Sequence, residues 1–214
     1  IQNTNILVTK FVCDDGSEFL VTDFCTRFEQ YGRNYRPMSL FRIVEPIKGH
    51  SVIKIACRPV NGWEKEYAKP IRGNSHIKFE IRNETLRVAT NMSLTYLMEE
   101  TLFSLQEKLF FGLTWGAGLE DDIGQVTNQF LERTHDYWQT WVKHCSIPTY
   151  FQKETIRSAL ALKLHCFEDT GAILAALTTS LPEELRCGRN WDYRYCWLRD
   201  AAFVLSAFHS LGHF

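Results

Sequence analysis

The hydrophobic period changes once along this chain, at "GAGLEDD", residues 116–122. Before that point, short apolar-rich runs are separated by turn residues. After it, apolar residues recur at helical spacing. A chain patterned this way folds as a run of strands followed by a run of helices, not as alternating βαβ units. "NILVTKFVC" and "EFLVTDFC" flank "DDGS", which predicts a hairpin. "SLFRIVEPI" and "SVIKIACRPV" flank "KGH" and predict a second, and "SHIKFEIR" and "TLRVAT" flank "NE" and predict a third. "TLFSLQEKLFFGLTW" holds one or two further strands. The expected first domain, residues 1–120, is an antiparallel β-sandwich.

From residue 121 to 145, Val126, Phe130, Tyr137, Trp138, Trp141 and Val142 fall along one helical face. This predicts a connecting helix within 121–148, with Asp121 and Asp122 at its electropositive start and Pro148 beyond its end. A second helix is expected over Phe151–Phe167, burying Ile156, Ala159, Leu160, Leu164 and Phe167 and stopping before Gly171. "GAILAALTTSLPEE" reads as a short buried segment leading into a loop. Leu198, Ala202, Leu205 and Phe208 then predict the buried face of a last helix. Residues 149–214 form the expected helical domain, and only helix or loop is expected after about Asp121. The fold class is therefore β plus α, in more than one domain.

Charge and cysteine usage narrow the partners. The net charge is -1, which carries no electrostatic footprint for nucleic acid or an anionic membrane. No apolar run reaches the ~20 residues of a spanning helix. The start, "IQNTNILVTK", lacks a secretory signal pattern, and both ends are expected to be cuts inside a longer protein. Seven cysteines, an odd number with no CxxC, suit reduced thiols in the cytoplasm. His144-Cys145 and His165-Cys166 are adjacent pairs on helices and point to different faces, so no metal is expected. The sequons at Asn83 and Asn91 carry no meaning without secretion.

The most distinctive stretch is "RNWDYRYCWLRD", Arg189–Asp200, with two Trp, two Tyr, three Arg and two Asp. Sugar rings pack their C–H faces on aromatics and present hydroxyls to carboxylates and guanidinium groups. A loop of Trp, Tyr, Arg and Asp opening into a helix suits that ligand. The same residues also suit structural roles. Asp200 could cap the helix, with Arg199 as its ion-pair partner. Trp191 and Trp197 could be core residues, and Tyr193 and Tyr195 could stack on a neighbouring domain.

"TGAILAALTTSLPEE" together with "RNWDYRYCWLRDA" closely resembles the family-fifteen glycoside hydrolases, the glucoamylases and their bacterial α-glucosidase and trehalase relatives. "YWQTWV", "IRSALALKL" and, more loosely, "DGSEFLVTDF" follow the same order. The resemblance implies an N-terminal β-sandwich followed by a barrel of six helical hairpins, and hydrolysis of α-glucosidic bonds with inversion by two Glu. It places Arg199 and Asp200 on hydroxyls of the terminal glucose, with Tyr193 and Trp197 lining the same pocket and Trp191 and Asp192 supporting the loop. It implies an α-glucoside or oligosaccharide substrate and no cofactor. Twelve helices need about 140 residues, more than twice the stretch from Thr149 to Phe214. The barrel is therefore expected to be incomplete here, with no catalytic residue in this chain and the Glu pair downstream. Alone, the chain is expected to be inactive. Glu183 and Glu184 are expected to be a solvated loop pair. The rival reading is a carbohydrate-binding or sensing protein of the same architecture that lacks the Glu pair.

Overall fold

The computed structural model describes residues 1–62, 66–119, 122–178, 184, 186–188 and 190–213. It divides into two compact units, one of Ile1 and Ile6–Tyr137, the other of Gln2–Asn5 and Trp138–Phe214.

In the first unit, β1 (Leu7–Val12) and β2 (Glu18–Phe24) pair antiparallel across the "DDGS" turn. Gly16 supplies the positive φ, +76°, that this turn requires, and its N–H donates to the Cys13 carbonyl at 2.9 Å. The Asp15 carboxylate accepts the Ser17 N–H at 2.8 Å. A small hairpin follows, β3 (Phe28–Gln30) with β4 (Arg33–Tyr35), then the long β5 (Ser39–Lys48) and the short β6 (Val52–Ile53). β7 (Pro70–Arg72), β8 (His76–Ile81) and β9 (Glu84–Thr90) form a meander. Helix α1 (Leu94–Glu99), β10 (Phe103–Ser104) and β11 (Leu109–Trp115) complete the β-rich part.

Seven of these strands make one sheet in the order β1-β2-β5-β11-β9-β8-β7, antiparallel throughout. Two expectations are corrected. The strands do not divide into two facing sheets of similar size; beside the large sheet, the described strands of this unit form only two-stranded pairs. The "KGH" hairpin does not form either. β5 is flanked by β2 and β11, so neither of its edges is open to the strand that follows, and β6 pairs with β10 instead.

Alternation along the strands sends side chains to both sheet faces. Val44, Ile77, Phe79, Leu86, Val88, Leu109 and Phe111 cluster with Met92, Leu94, Leu97 and Leu105 on one face. On the other, Phe24 and Phe41 cluster with Ile123 and Val126 of α2 (Ile123–Lys143). A side chain at Gly112 would meet Leu119 Cδ1 at 2.8 Å and Ile123 Cδ1 at 2.9 Å, so a residue without Cβ lets the start of α2 approach the sheet. The expected stripe of α2 holds at Val126, Trp138 and Val142. It also contains two fully buried threonines, Thr127 and Thr134, and the Thr134 hydroxyl accepts the Arg27 backbone N–H at 3.2 Å. Asp122 anchors the helix start by accepting the Gln125 N–H at 2.9 Å, while Asp121 lies outside the described residues.

The second unit holds the last turns of α2, α3 (Gln152–Leu164), a hairpin of β12 (Cys166–Phe167) with β13 (Ala172–Ile173), and α4 (Leu198–Ser210). Ala159, Ile173, Val204, Phe208 and Leu211 form its core, with Trp141, Ile147, Leu162 and Ala201 packed around them. Trp141 stacks on His213 with ring centroids 4.8 Å apart. The N-terminal segment is tied in by Asn5, which donates to the Leu160 carbonyl at 3.1 Å, and by Arg157, which donates to the carbonyl of Thr4 and the side chain of Asn5.

Three expectations for this part are corrected. α3 ends at Leu164, and the chain turns into the β12–β13 hairpin. Gly171 therefore serves that hairpin's turn, its N–H donating to the Phe167 carbonyl at 2.9 Å, and Leu164 and Phe167 are exposed. Strand is thus present after Asp121. On α4 the expected Phe208 is buried, together with Val204, partly buried Ala201 and, at the C-cap, Leu211, whereas Ala202 is exposed and Leu198 and Leu205 are 87% and 59% exposed. Apolar residues lie at helical spacing on two faces, and the contact with Ala159 and Ile173 selects the buried one. No described helix is long and apolar enough to cross a membrane.

Candidate substrate-binding loop

The loop that precedes α4 is held by its backbone. Ala176 N–H donates to the Tyr193 carbonyl at 2.7 Å, and Ala175 N–H to the Tyr195 carbonyl at 3.1 Å. Leu174 bridges Cys196 beside them. The segment after β13 therefore acts as a rail along which residues 193–196 lie. Upstream, the Asn190 side-chain amide donates to the Cys187 carbonyl at 3.0 Å and closes a turn. Arg189 and Glu183 lie outside the described residues, and Glu184 is exposed.

Within the loop, Asp192 and Arg194 lock together. Arg194 donates its backbone N–H and Nε to Asp192 Oδ1, both at 3.0 Å, and Nη2 to Oδ2 at 2.7 Å. A guanidinium fork on a carboxylate is rigid as well as favourable. The side-chain bond from Arg194, with help from its backbone N–H, lowers the Asp192 carboxyl to about 2. The folded pKa lies below the ordinary 3.8, so the lock contributes above about pH 4 and is lost as pH falls toward 2. The near-ultraviolet circular dichroism of the loop tryptophans reads this directly. Asp192→Asn is expected to show at pH 6 the weakened signal that the unmodified protein shows only as pH falls to about 2. An unchanged spectrum at pH 6 would remove the lock from the account.

The four candidate residues form a continuous chain of contacts. Tyr193 and Trp197 have ring centroids 5.3 Å apart. The Trp197 indole N–H donates to the Asp192 carbonyl at 3.4 Å, which ties the ring to the lock. The Arg199 guanidinium lies 5.9 Å from the Trp197 ring centroid, and its Nη2 donates to Asp200 Oδ2 at 3.0 Å. Trp197 itself is the N-cap of α4 and makes no side-chain capping bond. Asp200 is the third residue of the helix, in its first turn, where the helix dipole favours a negative charge. The helix start therefore does not use Asp200 as its cap. Among the described residues its carboxylate is met by Arg199, leaving Oδ1 and most guanidinium N–H groups open to a ligand. Together these groups offer ring surface, a carboxylate acceptor and forked donors within a few residues.

The Asp192–Arg194 lock was not read from the sequence; an acid two residues before an Arg is its only local signal. Trp191 lies edge-to-face with Trp197, centroids 6.2 Å apart at 76°, yet is 58% exposed. His144 and His165 turn Nδ1 onto the Thr140 and Ala161 carbonyls at 2.8 Å. No described group of three or more His, Cys, Asp or Glu residues has metal-site geometry.

Comparison with known proteins reaches the same stretch. Residues 151–214 match the family described as glycosyl hydrolases family 15. A trehalase of Thermoplasma acidophilum is 30% identical over 98% of this chain and 37% of its own length. A trehalase of Thermoplasma volcanium is 31% identical over 99% of this chain and 34% of its own. A trehalase of Mycolicibacterium smegmatis is 32% identical over 81% of this chain and 28% of its own. The chain thus spans about a third of the length of the curated relatives it matches. No solved structure matches it at comparable stringency.

Proposed function

We propose, from the chain's place in glycosyl hydrolase family 15, that it is part of an enzyme that hydrolyses the α-glucosidic bond of trehalose with inversion. The observation that carries this reading is the extent of the similarity. The loop block alone would suit glucoamylases and trehalases equally, but likeness to trehalases runs through the β-rich unit as well, over 98% of the chain. Within the reading, Asp200 accepts hydroxyls of the terminal glucose, Arg199 donates to them, and Trp197 and Tyr193 pack against its ring. Arg199 also orients Asp200 through its Nη2–Oδ2 hydrogen bond, and the Asp192–Arg194 lock keeps the Trp197 ring in place without rearrangement on binding.

Inversion needs an acid and a base carboxyl about 6.5–9.5 Å apart with water between them. We assign that Glu pair to the part of the protein outside these residues. Residues 1–120 are the β domain, 121–148 the connection and 149–214 the opening of an α/α barrel. The outward face of α4, with Leu198, Phe203 and Leu205 exposed, supports further helices covering it. Seven free thiols suit a reducing compartment, so the cytoplasm is the proposed location.

The test is glucose release by the whole enzyme, with the anomers followed by NMR. Trehalose is expected to be turned over about tenfold or more faster than maltose, a difference of ~1.4 kcal/mol in transition-state binding. The newly cleaved anomeric carbon is expected to emerge as β-glucose and the leaving unit as α-glucose. The 214-residue chain alone is expected to release none. Retention at the cleaved carbon, or failure of the whole enzyme to act on trehalose, would overturn the reading.

A further inference from the structure

We infer that Trp191 is a substrate wall, contacting the second sugar ring of the disaccharide beside the terminal glucose held at Trp197. This rests on the disaccharidase reading above. Of the described tryptophans, Trp191 is the exposed one, at 58%, whereas Trp138 is 2% exposed. A tryptophan whose role is to support a loop gains by burial, at roughly 25 cal/mol per Å² of apolar surface removed from water. Within this chain Trp191 leaves most of that gain unused.

Its position is nevertheless fixed. It precedes Asp192, whose side chain is forked by Arg194 and whose carbonyl holds the Trp197 indole N–H. The rail of Ala175 and Ala176 constrains the backbone that follows. An exposed ring on a rigid mount is pre-organised for a ligand, because little side-chain entropy remains to be lost on binding.

The geometry sets what the ligand is. The Trp191 and Trp197 rings meet at 76° with centroids 6.2 Å apart, and so form a corner. Two sugar rings joined through a single oxygen do not lie in one plane. A disaccharide therefore offers two differently directed C–H faces to such a corner. With the terminal glucose beside Trp197, Arg199 and Asp200, the leaving sugar falls to Trp191.

The experiment compares two substrates in the whole enzyme: trehalose, with two rings, and α-glucosyl fluoride, with one. Trp191→Ala is expected to lower kcat/KM for trehalose about 10–100-fold, the range of an aromatic contact at the centre of an interface. Turnover of the fluoride is expected to stay within about twofold and the melting temperature to hold, since a ring that faces the substrate is not part of the packed core. Trp191→Phe is expected to regain most of the trehalose activity. Equal losses on both substrates with a lower melting temperature would make Trp191 a loop support and overturn the inference. Unchanged kinetics on both would overturn it equally. If the wild-type enzyme cleaves maltose but not trehalose, the trehalose reading falls, while the same comparison with maltose still decides for or against Trp191.

Discussion

Asp200→Ala in the whole enzyme is expected to lower kcat/KM for trehalose by about 10²–10⁴. A hydrogen bond to a charged group contributes ~1.5–3 kcal/mol, and the assigned role gives Asp200 two of them. Asp200→Asn keeps the shape without the charge and is expected to fall between the two. Arg199→Lys is expected to be costly as well, because an ammonium cannot lie over the Trp197 ring and fork onto hydroxyls as a guanidinium does. Stability separates this from a structural role. Asp200 sits in the first turn of α4 but is not its N-cap, so its loss is expected to cost only ~0.3–1 kcal/mol through the helix dipole. Asp200→Ser, a good capping residue, is then expected to restore no activity. Melting and kinetics of the Ala, Asn and Ser variants, measured side by side, decide the matter. If Asp200→Ser turns over trehalose within a few-fold of the parent, Asp200 is not a substrate ligand.

Phe41→Ala is expected to be the most damaging change to the fold of the β-rich unit, at about 3–5 kcal/mol. Phe41 is fully buried on β5, an interior strand between β2 and β11. It stacks on Phe24 with centroids 5.5 Å apart and meets Phe130 of α2 edge-on at 5.4 Å. Its ring also lies over Gly112, where no side chain is available to fill the space it would vacate. Transfer and cavity costs therefore add, and a drop of that size is a large share of a domain's ~5–15 kcal/mol. Urea unfolding with the slope unchanged is the readout. As a contrast, Tyr31→Ala at a 94% exposed position is expected to stay within about 0.5 kcal/mol of the parent. If Phe41→Ala costs no more than Tyr31→Ala, the sheet and α2 do not share the core described above.

Some of this molecule was determined by the sequence alone, and the parts are of one kind. The β1–β2 and β8–β9 hairpins follow from "DDGS" and "NE", where the residues that make the turn also choose the pairing partner. The α2 stripe follows from a period sustained over Val126, Trp138 and Val142. The block Trp191–Asp200 stands out in the sequence by its mixture of aromatic and charged side chains, and the expected loop opening into a helix forms there, with Trp197 as the N-cap of α4. In each case the deciding forces act between residues near one another in the chain.

Tertiary structure decided what competition over distance controls. "KGH" resembles a hairpin turn, but β5 had both edges taken by β2 and β11, and a strand offers only two. α4 carries apolar residues on two faces; contact with Ala159 and Ile173 buries Val204 beside the expected Phe208, while Leu198 and Leu205 stay exposed in this chain. Gly171 suits a helix stop and a hairpin turn alike, and pairing of Cys166–Phe167 with Ala172–Ile173 made it the second. Whether Asp200 capped its helix turned on where the helix began, and it began with Trp197 as its N-cap. Local propensity fixes elements to within such choices; long-range burial and hydrogen-bond satisfaction make them, because each edge and each face can be used only once.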